Sequence, residues 1–183
     1  GVPTEEERSP HHLWRVRKQL PPPGRIGVFD RSHYEQVLVV KVDGLEPPEV
    51  NETRYAELAD FDREVVASGT RVVKVALMIS HDEQGERLAE RIERPDKHWK
   101  YSVNDIPVRE KWDDYQAAFG EMFARTSVDE APWYVVPANR KWYARLAVTE
   151  LLHQALLGLD RPWPEADFDP EVELARLEAT ARD

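Results

Sequence analysis

The chain has 183 residues, 41% hydrophobic and 33% charged, a composition that excludes a disordered chain and leaves room for one domain with a proper core. It has no cysteine, which excludes a disulfide framework, a thiolate zinc site and a cysteine nucleophile. The formal net charge of −10 sets the bulk of the surface against nucleic acid, anionic lipid and phosphate, so a polyanion ligand has to meet a local basic patch.

In chain order, Thr4 ahead of Glu5-Glu6-Glu7 predicts a capped helix start, with carboxylates at the positive end of the helix dipole. That helix should run to about Leu20, where Pro21-Pro22-Pro23-Gly24 stops it. Ile26-Gly27-Val28-Phe29 reads as a short buried strand ending at Asp30. Tyr34 to Val42 fits either a helix or an extended segment, and Asp43 to Pro48 a loop. Glu52 to Ser68 carries Tyr55, Leu58, Ala59, Val65 and Val66 at helical spacing. Arg71 to Ile79 holds the clearest buried strand, Val72–Ile79. A helix from His81 to Glu93 is ended by Pro95, and Pro95 to Ser102 is polar with Trp99 as its one apolar anchor. Asp105 to Phe123 reads as one helix with Trp112, Tyr115, Phe119 and Phe123 on a common face. Trp133–Val136 is a third short strand, Lys141 to Leu157 a helix, and Glu171 to Ala179 a last weak helix.

This order of elements predicts an α/β layer with the three strands parallel. It gives one domain over residues 1–158 and an acidic tail over 159–183. The apolar runs, such as Val37–Val40 and Val75–Ile79, fall far short of the ~20 residues that span a bilayer. The acidic start is unlike a signal peptide. The expectation is a cytoplasmic protein without membrane or nucleic-acid partners.

Charge is unevenly spread. Arg8, Arg15, Arg17, Lys18 and Arg25 occur in a stretch without acid, whereas Asp43–Glu64 and Asp160–Asp183 are strongly acidic. Asp30-Arg31-Ser32-His33-Tyr34-Glu35 follows directly on a predicted strand, where open α/β sheets carry ligand sites. An Asp there can hold Mg²⁺, and an adjacent Arg can neutralise phosphoryl charge. The plainer alternative is a loop ion pair. Arg87, Arg91 and Arg94 share one helix face, and Lys97, His98 and Lys100 follow beyond Pro95. This suits a lid over phosphates, about residues 87–102. A solvated helix whose arginines pair with Glu86, Glu90 and Glu93 fits the pattern equally well. His11, His12 and His33 could suggest a metal site, but adjacent residues diverge on a helix and His33 lies on another element, so they read as surface or hydrogen-bonding groups. The same reasoning makes Asp113-Asp114 a solvated pair, and Trp112, Tyr115, Trp133, Trp142 and Tyr143 packing residues.

Taken together, several segments resemble the polyphosphate kinase 2 family. They are Pro3-Thr4-Glu5-Glu6-Glu7, Leu13-Trp14-Arg15, Gly27-Val28-Phe29-Asp30-Arg31-Ser32-His33-Tyr34-Glu35 running into Val37–Val40, and Arg94-Pro95-Asp96-Lys97-His98-Trp99-Lys100. Trp112-Asp113-Asp114-Tyr115, Ala131–Ala138 and Lys141–Leu146 complete the series. The resemblance implies a P-loop kinase fold of the thymidylate-kinase type, a three-layer α/β/α sandwich. It implies Mg²⁺-dependent phosphoryl transfer between inorganic polyphosphate and a nucleoside mono- or diphosphate (AMP/ADP or GMP/GDP), in a homo-oligomer, dimer or tetramer. Asp30 and Arg31 then match the Walker-B element, with Asp30 the metal ligand. Arg87, Arg91, Arg94, Lys97 and Lys100 match the polyphosphate-binding lid. Lys41 stands where the family usually has Arg, and Tyr34 and Glu35 belong to a run resembling the branches that accept nucleoside monophosphates. Pro10-His11-His12 replaces a His-Asp-Phe-like triplet. No glycine in the sequence is followed by lysine, so the first strand and P-loop are expected upstream of Gly1. The fragment alone should be inactive. The competing expectation is a non-catalytic polyanion-binding or assembly module; an RNA-binding module rests only on the basic stretches and aromatics.

Overall fold

A computed structural model describes residues 11–159 and 162–181. The expected helix start at Thr4–Glu7 lies outside them. The elements in order are α1 (Trp14–Gln19), a 3-10 turn (His33–Val37), α2 (Val39–Val42), α3 (Pro48–Ala67), β1 (Lys74–Met78), α4 (His81–Glu93) and a second 3-10 turn (Pro95–Lys100). They continue with α5 (Asp105–Glu110), α6 (Trp112–Thr126), β2 (Trp133–Pro137), α7 (Lys141–Leu157) and α8 (Pro170–Glu178).

Local chemistry sets most of the boundaries. Pro48 opens α3 at a position where its missing N–H costs nothing. Ser80 caps α4 by accepting a hydrogen bond from the Glu83 amide at 3.2 Å. The single helix expected over Asp105–Phe123 is two helices broken at Lys111, whose ψ of 23° leaves the helical range. The break serves packing: Arg109 reaches the His81 carbonyl at 2.6 Å and Gln84 at 2.8 Å, and Trp112 meets His81 edge-on at 5.1 Å. Gly85 allows this approach, since a Cβ there would lie 3.1 Å from the Arg109 guanidinium.

β1 and β2 pair in parallel, from Lys74 beside Trp133 to Met78 beside Pro137, as expected. The third expected strand is not formed. Ile26–Phe29 is irregular, with Ile26 73% and Val28 88% exposed. A strand exists by its hydrogen-bonded neighbours, and in the described residues this segment has none. The sheet there is therefore two-stranded.

One face of the sheet meets the main core, in which α3 and α6 contribute Tyr55, Leu58, Phe61, Val65, Ala118 and Met122. Leu13, Tyr34, Val37 and Leu38 join them. Each such aliphatic or aromatic side chain contributes about 1.5–3 kcal/mol by leaving water. α7 covers the other face through Ala144, Ala147 and Leu151, against Val75, Ile79 and Val136. The opposite side of α7 is open. Trp142 and Tyr143, expected as packing residues, are 66% and 43% exposed: helical spacing puts Trp142 opposite the Ala144–Ala147–Leu151 stripe and Tyr143, four residues before Ala147, at its edge. Trp99 is likewise not a buried anchor; it is exposed, and its indole N–H donates to the Asp96 carbonyl at 3.1 Å.

Candidate active site

The loop Asp30–Glu35 connects the irregular Ile26–Phe29 segment to the core. Arg31 has φ of 63°, in the left-handed region that a non-glycine residue occupies only when its surroundings require it. Its guanidinium donates to Glu35 at 2.6 Å in an exposed i,i+4 pair. Ser32 caps the following turn, accepting from the Tyr34 amide at 3.4 Å. Asp30 is exposed, and among the described residues it enters no hydrogen bond or ion pair, so both carboxylate oxygens are free.

What holds this loop is Tyr34. It is 3% exposed, and its hydroxyl donates to the Asp62 carboxylate. A nucleotide cannot reach that hydroxyl, so Tyr34 is a core anchor, and of the expected nucleotide-binding pair Glu35 alone lies open. Lys74 completes the cluster: its ammonium donates to Asp62, to the Tyr34 hydroxyl at 3.1 Å and to the Thr126 carbonyl at 2.6 Å. Trp133 meets Tyr34 edge-on at 4.7 Å and donates to the Thr126 hydroxyl at 2.9 Å. Burial, then the Asp62 charge, push the Tyr34 phenol well above its ordinary range. Burial pulls the Lys74 ammonium down, and its bond to Asp62 opposes that. Reading the sequence for sites missed Asp62 and Lys74. Both left a signal: a lysine inside the most apolar strand, and an aspartate at the Leu58-to-Val65 face of α3.

Four of the five lid cations are engaged with acids. Arg87 is half-buried and donates to Glu83 at 2.7 Å and to the Ala138 carbonyl at 2.8 Å, so it ties α4 to the end of β2. Arg91 pairs with Asp105 at 3.5 Å. Arg94 pairs with Glu90 at 3.1 Å and Asp96 at 2.8 Å, and Lys97 pairs with Glu90. Lys100 lies over the exposed Trp99 ring at 4.8 Å. Of the acids named in the solvated-helix alternative, Glu90 takes part, while Glu83, Asp96 and Asp105 supply the other pairs. Lys41 pairs with Glu121 on α6. Among the described residues no hydrogen bond or ion pair joins the Asp30–Glu35 loop to the lid cations. Asp113 and Asp114 are exposed in the first turn of α6, as expected. His11 and His12 do not diverge: they stand in a turn before α1, outside helical spacing, and both face Glu57. His33 is not with them; its ring is buried between Tyr34 and Phe61, and burial holds its pKa at about 4.

Residues 1–161 match the family model described as polyphosphate kinase 2. The chain belongs to this family. The AMP/ADP-polyphosphate phosphotransferase of Meiothermus ruber is 44% identical over 171 residues, which cover 93% of this chain and 64% of that protein. The polyphosphate:AMP phosphotransferase of Pseudomonas syringae pv. tomato is 40% identical over 156 residues, 85% of this chain and 31% of that one. The crystal structure of polyphosphate kinase 2 from Arthrobacter aurescens TC1 superposes with a TM-score of 0.91 at 50% identity, covering 98% of this chain and 64% of that one. This polyphosphate kinase 2 chain therefore spans somewhat under two thirds of the length of these relatives, or less. The family's resemblance segments fall on both sides of the Tyr34–Asp62–Lys74 cluster.

Proposed function

We propose that this chain forms the larger part of a polyphosphate:nucleotide phosphotransferase, transferring a phosphoryl group between inorganic polyphosphate and a nucleoside mono- or diphosphate such as AMP/ADP or GMP/GDP. The observation that carries this reading is the Asp30–Glu35 loop, anchored through a buried Tyr34 while Asp30 stays free and Arg31 exposed. Phosphoryl transfer asks a protein for positioning and charge neutralisation and little covalent chemistry. A loop that is rigid at its base and open at its tip supplies both. Arg31 would bridge donor and acceptor phosphates. Its pair with Glu35, like that of Arg94, is solvent-exposed, and those of Arg91 and Lys97 are partly so, which leaves each weakly held against competition. A polyphosphate chain can displace such acids at little cost, so the ion-paired lid remains available for polyanion binding.

Mg²⁺ fits this loop. The ion is commonly held by one or two carboxylates together with substrate phosphates and water, and Asp30 is one unengaged carboxylate beside an arginine. When bound it would neutralise charge on the phosphates. The phosphate cradle, a first strand with a Gly-Lys loop, is assigned to a further polypeptide segment. Among the described residues one edge of β1 is unpaired and Ile26 and Val28 are exposed, which leaves room for an additional strand beside β1. The exposed side of α7, with Trp142 and Leu146, suits the expected homo-oligomer.

The test is a phosphotransfer assay with polyphosphate, Mg²⁺ and AMP or ADP, run on the 183-residue chain and on a longer polypeptide that includes a Gly-Lys loop. The longer protein should turn over and the chain alone should not. Turnover by the chain alone would remove the need for the cradle. Polyphosphate binding without turnover in the longer protein would favour the non-catalytic polyanion-binding module.

A further inference from the structure

We propose that His11, His12 and Glu57 form a binding site for a borderline divalent cation, Zn²⁺ foremost, that clasps the turn before α1 onto α3. The site is separate from the phosphoryl-transfer loop and does not depend on that reading. His11 Nε2 lies 3.4 Å from one Glu57 oxygen and His12 Nδ1 lies 3.3 Å from the other. Both are longer than a good N–H···O bond, which spans about 2.7–3.2 Å. They match the separation of two ligands on one tetrahedral ion: donors about 2.0–2.1 Å from Zn²⁺ stand roughly 3.3–3.4 Å apart. The two contacts use different oxygens of Glu57, so one carboxylate faces both imidazoles; one ligand atom from each residue lies within 4.8 Å of the others, and a modest movement of His11 would draw the three together.

The residue that must move is free to do so. The His11 side chain is 54% exposed, and its restraint is the Leu13 amide, which donates to Nδ1 at 3.4 Å. Rotating it gives up that one long bond. His12 is already fixed: its side chain is 12% exposed and its Nε2 is buried without a partner, so packing aims Nδ1 at Glu57. Arg54, the nearby cation, is turned to the Gln36 carbonyl at 3.4 Å and to Glu46 at 3.5 Å. Two imidazoles and a carboxylate select zinc, cobalt or nickel over Mg²⁺ and Ca²⁺, which prefer all-oxygen sites. Glu57 is 40% exposed, leaving the outer side open to a water as fourth ligand.

The experiment is calorimetric titration of the untagged 183-residue chain with ZnCl₂ in a phosphate-free, non-chelating buffer, with MgCl₂ as the comparison. We expect one saturable Zn²⁺ site per chain that a large excess of Mg²⁺ does not displace. His11→Ala and Glu57→Gln should each weaken it more than tenfold. Zn²⁺ should raise the melting temperature of the wild type and leave that of both variants unchanged. Both substitutions are at exposed side chains, and Glu57→Gln keeps its volume, so far-ultraviolet circular dichroism of the metal-free proteins should overlay. Absence of saturable binding, displacement by Mg²⁺, or unchanged affinity in both folded variants would each overturn the site.

Discussion

Lys74→Met isolates the cluster that fixes the candidate active loop. The ammonium has three partners, namely Asp62, the Tyr34 hydroxyl and the Thr126 carbonyl, and the Lys74 and Asp62 side chains are 5% and 4% exposed. Methionine keeps most of the volume and removes the charge. Asp62 then remains buried with the Tyr34 hydroxyl as its single donor among the described residues. Removing one partner of a buried pair typically costs about 3–5 kcal/mol, a large share of the about 5–15 kcal/mol by which small domains are stable. The loss comes from stranding a charge, so removing the other polar groups as well should return part of it. The triple variant Tyr34→Phe, Asp62→Leu, Lys74→Met should recover at least half of the stability lost by Lys74→Met alone. Urea unfolding followed by tryptophan fluorescence and circular dichroism gives both values. A loss below about 1 kcal/mol for the single variant, or no recovery in the triple, would refute the idea that these residues act as one interdependent buried unit.

Acid should destabilise the fold through His33. Its folded pKa of about 4 lies below the ordinary 6.5, because burial and then the Lys74 charge disfavour the imidazolium. The unfolded chain therefore takes up a proton that the folded chain refuses, and stability is full above pH 6.5 and falls as pH drops toward 4. At about 1.4 kcal/mol per pH unit the loss reaches roughly 3 kcal/mol; His33→Leu should flatten the profile measured by denaturant unfolding between pH 7 and 4. Trp142→Ala, on the open side of α7, should cost less than about 1 kcal/mol, whereas Leu58→Ala, at 0% exposure, should cost about 2–5; comparable losses in urea unfolding would contradict the burial assignment. In the longer enzyme, Lys97→Ala with Lys100→Ala should raise KM for polyphosphate and flatten its salt dependence, while Arg31→Ala should depress kcat. Steady-state kinetics at two ionic strengths separate these outcomes, and an inverted pattern would reassign the roles.

Most of the helices and the β1–β2 pair were legible in the sequence because their signals are local: apolar spacing at Tyr55, Leu58 and Val65, β-branched runs, and the stop at Pro95, whereas the break at Lys111 depends on packing against His81. Ile26–Phe29 misled because its composition is that of a strand while strand formation depends on neighbours the composition does not report. Trp142 misled because residue type suggested burial where helical phase dictated exposure. The Asp30–Arg31 loop could be marked from sequence, but not what holds it. A pairing of Asp62 with Lys74 and Tyr34 joins three elements, and no spacing rule links residues so far apart. The convergence of His11 and His12 was hidden for a related reason, since helix geometry does not apply to the turn they occupy.

The α3–β1 and α6–β2 segments are two halves of like design, each a long helix followed after a short loop by a strand, docked helix to helix and strand to strand. Everything between them, from α4 through the second 3-10 turn to α5, is a looped-out excursion. Its base is fastened where Arg87 reaches the Ala138 carbonyl and Arg109 reaches the His81 carbonyl. The halves can dock whether or not the outer part of the excursion is ordered, because closure entropy grows only slowly with loop length. Its local opening is thus uncoupled from global unfolding. Changes in length or charge beyond the two arginine fastenings should therefore leave the stability of the docked halves nearly constant, so this excursion can open or reorder without loosening the core beneath it.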